Sequence, residues 1–154
     1  MQSESIKVLV TLTQDYANQP TFGSDFAAGA DLYACISPNE AVIIKPGETA
    51  KLSVGIKTEI PEGYVGLVFA RSGLATKRDL APANKVGVID SDYRGEWFVP
   101  LHNHGNEPQT ITNGERIAQV IFMPVPKVTF QPVEIDKLTE TDRGEGGFGS
   151  TGTN

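Results

Sequence analysis

Two carboxylates, a phenol and a guanidinium fall within the short run Asp90-Ser91-Asp92-Tyr93-Arg94. Glycines bound that run at Gly87 and Gly95, and a rigid turn of this kind is where a fold usually hangs its chemistry. The plainer reading is a turn whose aspartates hydrogen-bond their own backbone. Four further segments shift the balance, because none is needed for turn geometry. Asp31 stands alone among small residues in Ala28-Gly29-Ala30-Asp31-Leu32-Tyr33-Ala34, either as a strand-rim charge or as a carboxylate aimed at a hydrated cation. Arg71-Ser72-Gly73 opens a short helical stretch whose first N–H groups would face an anion. Gln119 interrupts an apolar run, where its amide must bond backbone or substrate to offset desolvation. The tail carries Arg143, Phe148, Gly149, Ser150 and Thr151 among dense glycine. It reads either as a disordered tail or as a flap that grips phosphate and covers a flat ring.

The elements that must hold these residues are strands. Ile6, Val8, Val10 and Leu12 alternate with Lys7, Leu9 and Thr11, which predicts a strand with one face more buried. Further strands are expected at Ala41–Ile44, Thr49–Ile60 and Tyr64–Phe69, separated by Lys45-Pro46-Gly47-Glu48 and Pro61-Glu62-Gly63 turns. Val86, Val88 and Ile89 read as the end of a buried strand, and Trp97 begins another that runs to Leu101. Residues 80 to 89 read as a hairpin with Asn84-Lys85 near its tip, whose open edge could pair with a base. Asn113-Gly114 signals a turn before the strand Glu115–Phe122, and a last strand is expected around Val128 to Val133. Ser72 to Arg78 is the one plausible helix, with Ser72 as N-cap and Lys77 and Arg78 at its favourable end. Regular turns between short β-branched strands indicate an all-β sandwich or barrel.

Composition narrows the class. A chain of 154 residues suits one domain with a real core. A net charge of −6 disfavours a nucleic-acid binder, though not a small anionic substrate held by clustered arginines. Cys35 is the only cysteine, so no intrachain disulfide is possible, which fits a reducing compartment. His102 and His104 share a strand face without a nearby third ligand and read as surface residues. No signal peptide is evident and no apolar run approaches the roughly 20 residues that span a bilayer. The expectation is a soluble, cytoplasmic protein without a membrane partner.

Taken in order, Ala28-Gly29-Ala30-Asp31-Leu32, Arg71-Ser72-Gly73-Leu74-Ala75, Gly87 to Gly95, Gly114-Glu115-Arg116-Ile117-Ala118-Gln119 and Arg143 to Gly152 resemble the trimeric dUTP diphosphatase (dUTPase) family. The resemblance implies a distorted jelly-roll-like β-barrel or sandwich with at most one short helix. It implies a catalytic domain over residues 1–138 and a flexible Gly-rich arm over 139–154 that closes an active site. The implied activity is Mg²⁺-dependent hydrolysis of dUTP to dUMP and pyrophosphate by in-line water attack on the α-phosphate. Such an activity keeps uracil out of DNA and supplies dUMP for thymidylate synthesis. The implied assembly is a homotrimer with sites shared between subunits.

On matching positions, Asp90 would be the general base and Gln119 would bond near the α-phosphate and its water. Arg71, Ser72 and Gly73 would hold phosphates. Asn84 and the backbone of Gly87, Val88 and Ile89 would read uracil, with Tyr93 against the deoxyribose. Arg143, Gly149, Ser150 and Thr151 would close on the γ-phosphate while Phe148 stacks on the base. Asp31 would meet the metal through water. Ala70 departs from the family pattern, in which proline is common. The dCTP deaminase branch of the fold would place a glutamate on the strand after Gly95, where this chain has Trp97-Phe98-Val99-Pro100-Leu101. A non-catalytic jelly-roll protein would need only the turns and apolar faces, leaving the polar residues of all five segments without purpose.

Overall fold

The computed structural model describes residues 5–148. Within them lie twelve strands and one helix, in the order β1 (Leu9–Leu12), β2 (Thr21–Phe22), β3 (Ala30–Tyr33), β4 (Ala41–Ile44), β5 (Thr49–Ser53), β6 (Ile56–Glu59), β7 (Tyr64–Phe69), α1 (Ser72–Arg78), β8 (Leu80–Pro82), β9 (Gly87–Ile89), β10 (Phe98–Asn103), β11 (Gln109–Thr112) and β12 (Arg116–Pro124). All pairings are antiparallel. They form a five-stranded sheet β2-β3-β12-β7-β9, a three-stranded sheet β5-β10-β8 and the pairs β1-β6 and β4-β11, with no closed barrel among the described residues. No described helix is long and apolar enough to cross a membrane.

Alternation decides which side chains turn inward. Ala30 and Leu32 of β3 and Val99 and Leu101 of β10 are buried while their neighbours are not, and Ile56 of β6 is buried beside the exposed Lys57. With Trp97 (2% exposed), Ile117, Ala118 and Val120 they make one core cluster. Each large aliphatic side chain taken out of water contributes about 1.5–3 kcal/mol. Leu74 pins α1 to that core. Asn103 is fully buried. Its Nδ2 donates to Ile44 O (2.9 Å) and Glu107 O (2.7 Å), and its Oδ1 accepts from Gly105 N (2.9 Å). A buried polar group with all its bonds made costs little and fixes the turn after β10.

Several sequence expectations change in the fold. The run Thr49–Ile60 breaks into β5 and β6 at Gly55, whose φ is +68°. Residues 80–89 and 87–99 are not paired hairpins: β8 joins β10, whereas β9 joins β7 in the other sheet. Turn chemistry reports that the chain reverses, not which strand it then meets. Val88 is 61% exposed and Val86 is also exposed, so β9 is a sheet edge rather than a buried strand. No strand forms at Val128–Val133, where the chain is exposed and without regular structure before a single 3-10 turn at Ile135–Lys137. The strand expected from Ile6 is paired only over Leu9–Leu12, against β6, although Ile6, Val8 and Val10 keep the half-buried face. Ser72 is the first helical residue, not the cap; Arg71 occupies the N-cap with φ −93° and ψ 131° and makes no side-chain capping bond.

Gly55 is a position where only glycine fits. A β-carbon there would lie 2.6 Å from Ala17 Cβ and 2.7 Å from Cys35 Sγ, on a backbone already in the left-handed region. Gly55→Ala is therefore expected to destabilise the protein by roughly 2–5 kcal/mol, combining left-handed strain with overpacking. A urea midpoint indistinguishable from wild type would show that the loop yields freely.

Candidate active site

β12 lies between β3 and β7, and its register sets Gln119 opposite Asp31 on one side and Phe69 on the other. Asp31 and Gln119 alternate with buried neighbours, so both project from the outer face of the sheet. The chain leaves β7 through Ala70 and Arg71 into α1, bringing Arg71 back over the same face. Asp31 Oδ1 accepts from Arg71 Nε at 2.7 Å, and Oδ2 takes Arg116 Nη1 at 3.4 Å. Gln119 Nε2 donates to Ala70 O at 2.9 Å, the backbone partner its apolar strand demands. Gly29 makes room for the other half of that amide, since a β-carbon there would stand 2.6 Å from Gln119 Oε1. Ser72 and Gly73 follow on the exposed first turn of α1, which Thr76 ties down by donating to Ser72 O (2.8 Å).

The other end of α1 is tied as firmly. Arg78 donates to Gln109 Oε1 (2.9 Å), Glu115 Oε2 (2.7 Å) and Thr110 O (2.6 Å). Burial alone would raise the Glu115 carboxyl. The Thr112 N–H and the Arg78 guanidinium outweigh burial, and the group sits below its ordinary 4.5.

A second cluster gathers at the end of β9. Its small recess, about 110 Å³, lies between Asn84, the backbone of Gly87–Ile89, Pro82 and Phe98. A larger one of about 260 Å³ holds Asp90, Tyr93, Lys51 and Glu96, and Val88, Ile89 and Phe98 form the wall common to both. Lys51 Nζ stands 4.3 Å from the centre of the Phe98 ring. Asp90 accepts the Tyr93 N–H through its carbonyl (3.1 Å), and the Tyr93 hydroxyl donates to Glu96 O (2.9 Å). That fold-back needs Gly95, because a β-carbon there would collide with the Tyr93 ring. Glu96 is held below 4.5 mainly by the Ser53 hydroxyl (2.6 Å), then by Thr13 (2.8 Å).

The two clusters do not meet within one chain. β9 pairs β7 with Gly87 opposite Val68 and Ile89 opposite Gly66, so Asp90 emerges beside the Val65 end of β7. Arg71 leaves the opposite end, about 20 Å away at ~3.3 Å per residue. Among the described residues Arg143 bonds only locally, its Nε donating to Gly146 O at 2.8 Å, and Phe148 is fully exposed. Gly149, Ser150 and Thr151 lie outside the described residues. Arg116, Phe98 and Lys51 had no assignment from the sequence. Arg116 could have been suspected from its place beside Glu115. Phe98 and Lys51 meet only because Ser53 pairs with Phe98 and Lys51 with Pro100.

An antiparallel, mostly β protein with a sheet-edge recess and a separate arginine cluster is the class these features define. A dUTPase family profile matches residues 15–152. A deoxyuridine 5'-triphosphate nucleotidohydrolase of Desulfitobacterium hafniense is 46% identical over 153 residues, covering 99% of each chain. One of Syntrophotalea carbinolica is 44% identical, covering 97% of this chain and 99% of its own. A mutant dUTPase of Staphylococcus bacteriophage 80alpha, solved with dUpNHpp, superposes with a TM-score of 0.83 at 28% identity, over 97% of this chain and 100% of that one. The chain belongs to the dUTPase family.

Because Glu96 and Glu115 are both depressed in the fold, their contribution to stability is complete above pH 4.5 and drains away as pH falls through their folded values. Glu96→Gln and Glu115→Gln should each flatten the acid limb of a stability–pH curve recorded by urea unfolding. A variant whose acid limb keeps the wild-type slope would remove that carboxylate from the linkage.

Proposed function

We propose that this chain hydrolyses dUTP to dUMP and pyrophosphate, with water attacking the α-phosphate in line, and so limits uracil in DNA while supplying dUMP for thymidylate synthesis. The observation that carries the reading is the paired recess at β9, with Asp90 at the strand's end. As an edge strand, β9 leaves one row of N–H and C=O groups free to bond a base. Uracil enters beside Asn84 and the backbone of Gly87, Val88 and Ile89, where the narrow recess rejects thymine's methyl. The Tyr93 ring lies along the deoxyribose and leaves no space for a 2′-hydroxyl. Asp90 takes the proton of the attacking water. Arg71, Ser72 and Gly73 hold phosphates and Gln119 steadies the α-phosphate. Phosphoryl transfer of this kind needs mostly positioning and charge stabilisation.

Residues 1–138 form the catalytic domain, and the arm 139–154 closes over the site. Arg143, Gly149, Ser150 and Thr151 reach the γ-phosphate and Phe148 covers the base. Such closure excludes water from the reaction.

Mg²⁺ suits this site. A mutant dUTPase from phage phi11 of S. aureus coordinates a structural Mg(II) ion in its solved structure. Among the described residues no three His, Cys, Asp or Glu side chains converge as a ligand set. The ion would then take its direct ligands from the triphosphate, as Mg²⁺ commonly does. Asp31 keeps lone pairs beyond its two arginine contacts and could face the ion through water. When bound, Mg²⁺ offsets phosphate charge.

The enzyme acts as a homotrimer in the cytoplasm, without nucleic-acid or membrane partners. Two features support sharing of sites between copies. Asp90 and Arg71 sit at opposite ends of β7. Residues 125–138 expose a run of apolar side chains, with Phe130 at 90% and Ile135 at 88%, suited to packing on a second copy.

Purified protein should release pyrophosphate from dUTP and none from UTP or dTTP. Asp90→Asn should lower turnover by about 10²–10⁴-fold while still binding dUTP. Wild-type turnover in that variant would deprive Asp90 of its role. Sedimentation should give the mass of three chains; a monomer active at the same concentration would overturn the shared site.

A further inference from the structure

We propose that Asp31 is a positioning residue that fixes Arg71 and Arg116 as a two-guanidinium cradle, and that Arg116 joins Arg71 in contacting the substrate's phosphates. The inference rests on the dUTP reading above and deepens it. Three observations carry it. Asp31 spends one oxygen on each arginine, at 2.7 Å to Arg71 and 3.4 Å to Arg116. Its side chain is the least exposed of the three, 13% against 27% for Arg71 and 52% for Arg116, so the carboxylate lies beneath the two cations. The triad keeps one net positive charge in a chain whose total is −6.

The bond to Arg71 uses Nε, the inner N–H of the guanidinium. That choice fixes the plane of the group and leaves the outer Nη atoms as the face offered to solvent. Arg71 Nη1 lies 3.5 Å from the Arg116 carbonyl, at the limit of a hydrogen bond. Arg116 commits one N–H to Asp31 and keeps its remaining donors. Two neighbouring guanidiniums, one at the N-cap of α1 and one at the start of β12, repel each other and range over many rotamers. One carboxylate between them removes both obstacles before an anion arrives.

The backbone under the cradle is fixed independently. Arg71 is the N-cap of α1, and the far end of α1 is held through Arg78 to Glu115, the residue preceding Arg116. Asp31 therefore has only the side chains left to orient. Loss of its charge should disturb anion binding without loosening the fold.

The test is equilibrium binding of a nonhydrolysable imido analogue of dUTP in excess EDTA and again in Mg²⁺. Asp31→Asn is expected to weaken binding about ten- to hundred-fold in EDTA, and by a similar factor in Mg²⁺. KM should rise more than kcat falls. Binding unchanged in EDTA and weakened only in Mg²⁺ would overturn the proposal and return Asp31 to the metal. Arg116→Ala serves if Asp31→Asn folds poorly: about tenfold weaker binding in EDTA is expected, and wild-type affinity would overturn the cradle. Asp31→Asn should add nothing once Arg71 and Arg116 are both alanine; a further loss in that background would show that Asp31 does not work through the two arginines. Should wild type neither bind the analogue nor release pyrophosphate, the functional reading itself falls, an outcome separate from all of these.

Discussion

Gln119 and Val120, near the middle of β12, are gripped from two sides, by β3 and by β7. In an antiparallel sheet the side-chain period is two, so a one-residue slip on either side would exchange the faces. Gln119 would then enter the core in place of Ala118, and Asp31 would point away from the helix that follows β7. The core forbids this, because Ala30, Leu32, Ala118 and Val120 fill one contiguous interior. Apolar packing thus sets the register, and the register sets which polar groups can meet. A bulge between Arg116 and Ala118 shifts the ladder there, where Arg116 reaches Asp31.

Close approach does the remaining positioning. Gly29 admits the Gln119 amide, and Gly95 lets Tyr93 fold onto the backbone of Glu96. Neither glycine needs an unusual dihedral; each is small because the Gln119 or Tyr93 side chain occupies the space its own would take. Phe98 plays the complementary part, its ring lining, with Val88 and Ile89, both the recess beside Asn84 and the recess beside Asp90. Lys51 steadies that ring from the neighbouring strand. In the proposed site the sheet edge, the ring and the carboxylate would make one half. The arginine cluster would make the other, held about 20 Å along β7 by the stiffness of an extended strand.

Local readings succeeded where a local cause operates. The alternation of Ile6, Val8 and Val10, the Pro-Gly turns and the short helix after Arg71 are decided by neighbours in the chain. The strands at Ala41–Ile44 and Tyr64–Phe69 belong with them. Readings failed where the partner is distant. Residues 80–89 look like a hairpin, yet their two arms join different sheets. Val88 looks buried and is not, since burial depends on what packs over an edge. Val128–Val133 has strand composition but no strand beside it among the described residues, and composition cannot supply one.

Asp31, Arg71, Asp90 and Gln119 were legible as candidates because charged or amide groups in small or apolar surroundings demand a partner. Which partner was open: Gln119 found a backbone carbonyl and Asp31 found two arginines. What the chain alone determined is the all-β class, the short helix and the set of groups able to do chemistry, all consequences of local preference and period. What tertiary structure decided is the pairing of Asp31 with Arg71 and Arg116, the shared wall at Phe98 and the separation of Asp90 from the arginines. Those depend on register between strands far apart in sequence, which only the packing of the whole core can select.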